Sequence, residues 1–187
     1  KSKFTADFNQ NFRFKNASNV SQHNIQGLYQ TTFFSGNQKY EAIGKFNQNN
    51  QNITGTFLTT TGDYRFLEGN ILKDSLKLSC FDGTHVYLFK AKIKGDSLVG
   101  GTFCSSITNI ETWSAIKNQN VVLPDPNRLT FLKNGYDSIN FSFPDPSGKP
   151  ISLSDEAFKN KPTVVQILGT WCPNCMDETK FLAEYQS

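Results

Sequence analysis

The chain has 187 residues, 37% of them hydrophobic, enough to bury a core as one large domain or two small ones. Its 19 basic and 16 acidic side chains leave a net charge of +3 without any basic run, which argues against a nucleic-acid partner. No apolar stretch is long enough to span a bilayer, and four cysteines are too few for a disulfide-dense scaffold.

Lys1 rather than Met opens the chain, which therefore reads as a processed or excised piece carrying no address of its own. Phe4, Phe8, Phe12 and Phe14 recur in a polar segment as one long strand or two short ones. Segments 38–46 and 53–60 then alternate, and Asn47-Gln48-Asn49-Asn50-Gln51-Asn52 between them reads as a solvated turn. Four more strands are expected over 63–72, 75–81, 85–93 and 97–104. Lys73-Asp74, Asp82-Gly83 and Gly95-Asp96 join them as tight hairpin connectors. Leu76, Leu78 and Cys80 fall on one face and Lys77 and Ser79 on the other, the alternation of a sheet with one wet side. Glu111-Thr112-Trp113-Ser114-Ala115 closes the unit. The expectation is an antiparallel β-meander over 1–120, an open, strongly curved sheet or half-barrel of roughly seven to nine strands.

Pro124 and Pro126 block ladder and helix alike, which marks 121–135 as a linker. Within it 127–133 reads equally as a short helix or an extended connector. Beyond it, 139–143 and 150–153 flank the turn residues Pro146-Ser147-Gly148 as a hairpin. Ser154 is placed to cap a short helix to 159, with Asp155 and Glu156 in its first turn. Thr163-Val164-Val165-Gln166-Ile167-Leu168 is β-branched and apolar almost throughout, the pattern of a central strand covered on both faces. After Cys172 the pattern turns helical.

That strand, the Trp171-Cys172-Pro173-Asn174-Cys175 turn and the helix behind it describe a dithiol redox site. The thiolate is the reactive form of cysteine, and the unpaired N–H groups and dipole of a helix N-terminus stabilise it. Cys175, Glu178, Leu182 and Tyr185 share one helical face, which Leu182 and Tyr185 mark as the buried one. Cys172 is then the exposed attacking sulfur and Cys175 the sheltered resolving one. Glu178 lies one turn beyond Cys175, leans back toward the sulfurs and is placed to exchange protons with the resolving thiol; the plainer reading is a surface glutamate that suits the dipole. Pro173 fits the first helical position, and Trp171 shields one side of the disulfide or simply packs in a core. No cofactor beyond the disulfide is implied. A zinc site would need a second ligand pair, which Cys80, Cys104, His23 and His85 do not supply at any suitable spacing. Cys80 and Cys104 sit on strands two apart, too far for a bridge, so Cys80 reads as a buried thiol.

Phe141-Ser142-Phe143-Pro144-Asp145, Gly148 to Asp155, Lys161 to Val165 and Thr170 to Cys175 with Glu178 resemble the TlpA/ResA-type thioredoxin-like proteins, extracytoplasmic thiol–disulfide oxidoreductases of bacteria. The resemblance implies that 136–187 is the first, incomplete portion of a thioredoxin-like α/β fold, ending at Ser187 inside the redox helix. It implies a redox-active pair at Cys172 and Cys175, a functional Glu178, protein thiols or disulfides as partners with an upstream thiol donor or acceptor, and an extracytoplasmic setting, periplasmic or membrane-anchored. The expected whole is mainly β, a meander domain followed by that partial α/β unit. The competing reading makes the β domain a binding module that holds an apolar ligand or protein partner, with the redox part vestigial or regulatory.

Overall fold

The computed structural model of the chain describes residues 13–14, 22–83 and 85–185. The strand expected through Phe4, Phe8 and Phe12 lies outside them. The chain divides into two compact units, Lys1–Pro124 and Asp125–Ser187.

The first unit is a nine-stranded antiparallel sheet. Its strands are β1 (Gly27–Ser35), β2 (Gln38–Asn49), β3 (Asn52–Thr59), the short β4 (Gly62–Asp63), β5 (Leu67–Leu72), β6 (Ser75–Phe81), β7 (Val86–Lys94), β8 (Ser97–Cys104) and β9 (Ile110–Lys117). Each pairs with its neighbour, β5 pairs with β3 past β4, and β1 pairs with β9. The result is a closed barrel of eight strands, which corrects the expected open half-barrel.

Two features close it. The long β2 pairs with β1 from Gln38 to Phe46 and with β3 from Ile43 to Asn49, so a single strand bridges what would have been two edges. The register also shifts between Lys90 and Lys92 and between Leu98 and Gly101, where Gly100 takes a left-handed φ of 57°. Bulges of this kind sharpen the coil of a strand, which closure requires.

Turn chemistry sets the hairpins. Asn50, Lys73 and Gly95 sit in the loops after β2, β5 and β7 with φ of 56°, 55° and 58°. The strand expected over 63–72 is broken. Arg65 turns left-handed at φ 58°, and its N–H donates to the Asp63 carboxylate at 2.8 Å. That break swings Tyr64 over one end of the barrel, where its ring meets those of Phe33, Phe57, Tyr87, Phe89 and Phe103.

The interior follows the period of the strands. Tyr29 and Phe33, Phe46, Phe57, Leu76, Leu78 and Cys80, Phe89, Phe103 and Trp113 all point inward and are buried. Phe89 and Phe103 stack at 4.4 Å between ring centroids, and Phe33 lies edge-on to Phe57 at 5.2 Å. Such pairs add about 0.5–1.5 kcal/mol each beyond the area they bury. Thr31 on β1 and Asn70 on β5 are buried polar residues of the barrel, Thr31 fully buried with its hydroxyl donating to the Tyr29 carbonyl at 3.3 Å.

The second unit has little regular structure. It holds the one-turn 3-10 helix η1 (Pro126–Arg128), the hairpin of β10 (Ser142–Pro144) and β11 (Pro150–Ser152), and the helix α1 (Pro173–Tyr185). This corrects the thioredoxin-like expectation: a β-barrel and one C-terminal helix are present, and no thioredoxin α/β fold. The 163–168 run is not a strand. A central strand needs hydrogen-bonding neighbours on both sides. Among the described residues of this unit only β10 and β11 form a ladder, three residues each, and they pair with one another. The helix expected from Ser154 is absent too. Asp155 N–H donates to the Ser152 carbonyl, Phe158 to Asp155 and Lys161 to Phe158, a chain of separate turns. The Asp155 carboxylate bonds back to Ser152 N–H at 3.0 Å, and Ser152 and Ser154 hydroxyls meet at 2.9 Å. These local bonds satisfy the backbone without a helical ladder.

Candidate functional site

The expected redox residues come together at the start of α1. Gly169, Thr170 and Trp171 turn the chain, with Cys172 N–H donating to the Gly169 carbonyl at 2.9 Å. A Cβ at Gly169 would lie 2.7 Å from the Trp171 indole, so a side chain there would push that exposed ring aside. The Cys172 carbonyl accepts from Met176 N–H at 3.2 Å, the first bond of the helix, so Cys172 is its N-cap and Pro173 its first residue. The Sγ of Cys172 takes the place that an oxygen fills in most N-caps, accepting Cys175 N–H at 3.3 Å. Cys172 and Cys175 are joined in a disulfide with their Cα atoms 5.3 Å apart.

The exposure of the helix differs from the expected face. Cys172 and Cys175 are both half-buried, as are Thr179 and Leu182, whereas Glu178 and Tyr185 are exposed. The sheltered stripe thus runs through Cys175, Thr179 and Leu182. Trp171 is 86% exposed and lies in no core.

Two residues that carried no role in the sequence reading complete the site. The Gln166 amide nitrogen donates to the Cys175 carbonyl at 3.2 Å and to Oε2 of Glu178 at 2.9 Å. The Thr179 hydroxyl lies 2.8 Å from Oε1 of Gln166 and 2.7 Å from the Cys175 carbonyl. Having one hydrogen, that hydroxyl serves one of the two acceptors at a time. The amide orientation is set by these partners: reversed, its oxygen would face a carbonyl and a carboxylate. A signal for Gln166 did exist in the sequence. It is the polar residue inside an apolar run, and it is half-buried where Val164, Val165, Ile167 and Leu168 are all exposed.

The barrel has its own polar cluster at the end covered by Tyr64. The Tyr40 hydroxyl donates to Oε2 of Glu111 at 2.6 Å and meets the Tyr64 hydroxyl at 2.6 Å. Burial, then the bonds to Glu111 and Tyr64, push the Tyr40 phenol well above its ordinary range, and burial raises Tyr64 as well. Nearby, Arg65 Nε lies 3.4 Å from Asp82, whose carboxylate also holds His85 Nδ1 at 2.9 Å. Among the described residues no group of three or more His, Cys, Asp or Glu side chains gathers as metal ligands would. Cys80 is buried and Cys104 half-buried, and both are free thiols, with burial raising the Cys80 thiol above its usual value. Inside the barrel, stacked rings occupy the space that an enclosed apolar ligand would need.

No helix among the described residues is long and apolar enough to cross a membrane. No family model, no curated protein and no solved structure matches the chain. The TlpA-type identity therefore has no family match behind it, and the thioredoxin-like fold expected with it is contradicted by the β-barrel and single C-terminal helix.

Proposed function

We propose that the chain exchanges thiols and disulfides with protein partners through Cys172 and Cys175. The observation that carries this reading is the placement of a Cys-x-x-Cys disulfide at a helix mouth, with the first sulfur at the N-cap and bonded to Cys175 N–H. Unpaired N–H groups and the helix dipole favour a thiolate at that position over one in solution.

In the oxidising direction, a partner thiolate attacks Sγ of Cys172. The Cys172–Cys175 bond breaks, and Cys175 leaves as a thiolate that takes up a proton relayed by Glu178. The partner's second thiolate then attacks the partner sulfur of the mixed disulfide and releases Cys172. The partner dithiol has lost two electrons and this chain's disulfide has gained them. In the reducing direction Cys172 attacks a partner disulfide and Cys175 resolves it. An extracytoplasmic setting suits such a site, because disulfides persist there.

The test is a titration of the whole chain in buffers of graded thiol–disulfide ratio, with alkylation of free thiols and mass readout. A reversible two-electron transition lost in Cys172→Ser and Cys175→Ser is expected. A pair that stays oxidised or stays reduced across the range ends the reading.

A further inference from the structure

Gln166 is the most sheltered residue of the 163–168 run, and its side chain spends every hydrogen-bonding group on the first turns of α1. One amide hydrogen goes to the Cys175 carbonyl and the other to the Glu178 carboxylate, while the amide oxygen faces the Thr179 hydroxyl. Cys175 and Glu178 stand one turn apart on α1, and Gln166 bonds to both from the same amide nitrogen. Glu178 is otherwise an exposed side chain, and a proton relay loses efficiency when its carboxylate is not held in place.

We propose that Gln166 is a positioning residue of the dithiol site, holding the Glu178 carboxylate against the Cys175 turn so that it can take the proton of the resolving thiol. The assignment rests on the thiol–disulfide reading above. Being an uncharged donor, Gln166 holds the carboxylate without competing for the proton, which a glutamate at 166 would do. Thr179 acts one step further out, fixing the amide that fixes Glu178. The other charged groups nearby are Asp177 and Lys180 on α1 and Lys161 on the segment before it, and none is altered in the variants below.

The two halves of the reaction can be read apart. The reduced whole chain, carrying Cys80→Ala and Cys104→Ser so that only the Cys172–Cys175 pair can react, is mixed with an aromatic disulfide whose released thiolate is coloured. Cys172 attacks first, forming a mixed disulfide and releasing one aromatic thiolate. Cys175 then loses its proton to Glu178 and attacks Sγ of Cys172, forming the internal disulfide and releasing the second thiolate. Gln166→Leu should slow the second release about tenfold or more, the lower part of the range for a lost acid–base contribution, and leave the first within about twofold. Glu178→Gln should do the same, and the double variant should be no slower than either single one. Thr179→Val, which keeps the side-chain shape, should slow the second release a few-fold and so carries the test if the Leu variant folds poorly.

A second release that is unchanged in Gln166→Leu and Thr179→Val overturns the assignment, as does a parallel change in both releases, which a general loss of structure would produce. If the unaltered chain gives a first release and no second, the thiol–disulfide reading itself fails, and with it the role of Gln166. A normal second release in the unaltered chain that the variants do not disturb removes Gln166 alone.

Discussion

The two units treat apolar side chains in opposite ways. In the barrel Phe33, Phe57, Phe89 and Leu78 have no measurable exposure. In the second unit Ile167 is 95% exposed, Trp171 86%, Tyr185 80% and Val164 74%. Residue type does not distinguish them; available backbone partners do. Each barrel strand lies between two others, so its inward side chains meet a wall on every side. The 163–168 run has no ladder to hold its pleat, and only Gln166, which found polar partners on α1, is drawn inward. An apolar run is thus a candidate strand until pairing decides it.

The largest expected effect tests the barrel half of that contrast. Phe33 touches the rings of Tyr40, Phe57, Tyr64, Phe89, Phe103 and Trp113. Phe33→Ala should cost about 3–5 kcal/mol in chemical denaturation followed by near-ultraviolet circular dichroism. A loss under about 1 kcal/mol would mean that the aromatic cluster is not the core.

Next in size is the hydrogen-bonded end of the barrel. Tyr40→Phe removes the donor to Glu111 and should cost about 1–2 kcal/mol, the range for a half-buried bond to a charged group. The buried phenols also make the barrel sensitive to alkali. Burial, with Asp96 nearby, pushes Tyr29 up to about 12. A group whose folded value lies above its unfolded value contributes stability that is complete below the unfolded value, here near 10, and is lost as pH rises toward the folded one. Unfolding free energy should therefore fall between pH 10 and about 12, and in a Tyr136→Phe, Tyr185→Phe background, which removes the two exposed phenols, phenolate absorbance should appear only with unfolding. Early phenolate absorbance in the folded chain would show that these tyrosines are open to solvent.

How much of this was legible differs along the chain. The alternation at Leu76, Leu78 and Cys80 and the turns at Lys73-Asp74 and Gly95-Asp96 are local, and they place β6 and its neighbours from sequence alone. Closure is not local. It depends on β1 meeting β9 across the length of the unit, and β1 is poorly marked because Thr31 faces inward while Phe34 is 42% exposed. The Cys-x-x-Cys turn and the helix after it were legible because cap, proline and disulfide spacing are short-range features. The sheltered face of α1 was not. Thr179 rather than Glu178 lies on it, a choice made by Gln166, thirteen residues away in sequence from Thr179.

The smallest expected effect on stability sharpens the other half of the contrast. Ile167→Ala should change unfolding free energy by no more than about 0.5 kcal/mol, because the side chain leaves little contact behind. Trp171→Ala should be as mild, since the indole is 86% exposed. The two should nevertheless separate in reactivity. Trp171 precedes the attacking sulfur and offers a broad exposed ring, the kind of surface on which a polypeptide partner gains contact area. Its loss should slow exchange with a protein disulfide several-fold and leave exchange with a small disulfide unchanged, whereas Ile167→Ala should alter neither. Equal slowing with both substrates would place Trp171 in the chemistry of the sulfur itself, and no slowing with either would leave its exposure without a function at this site.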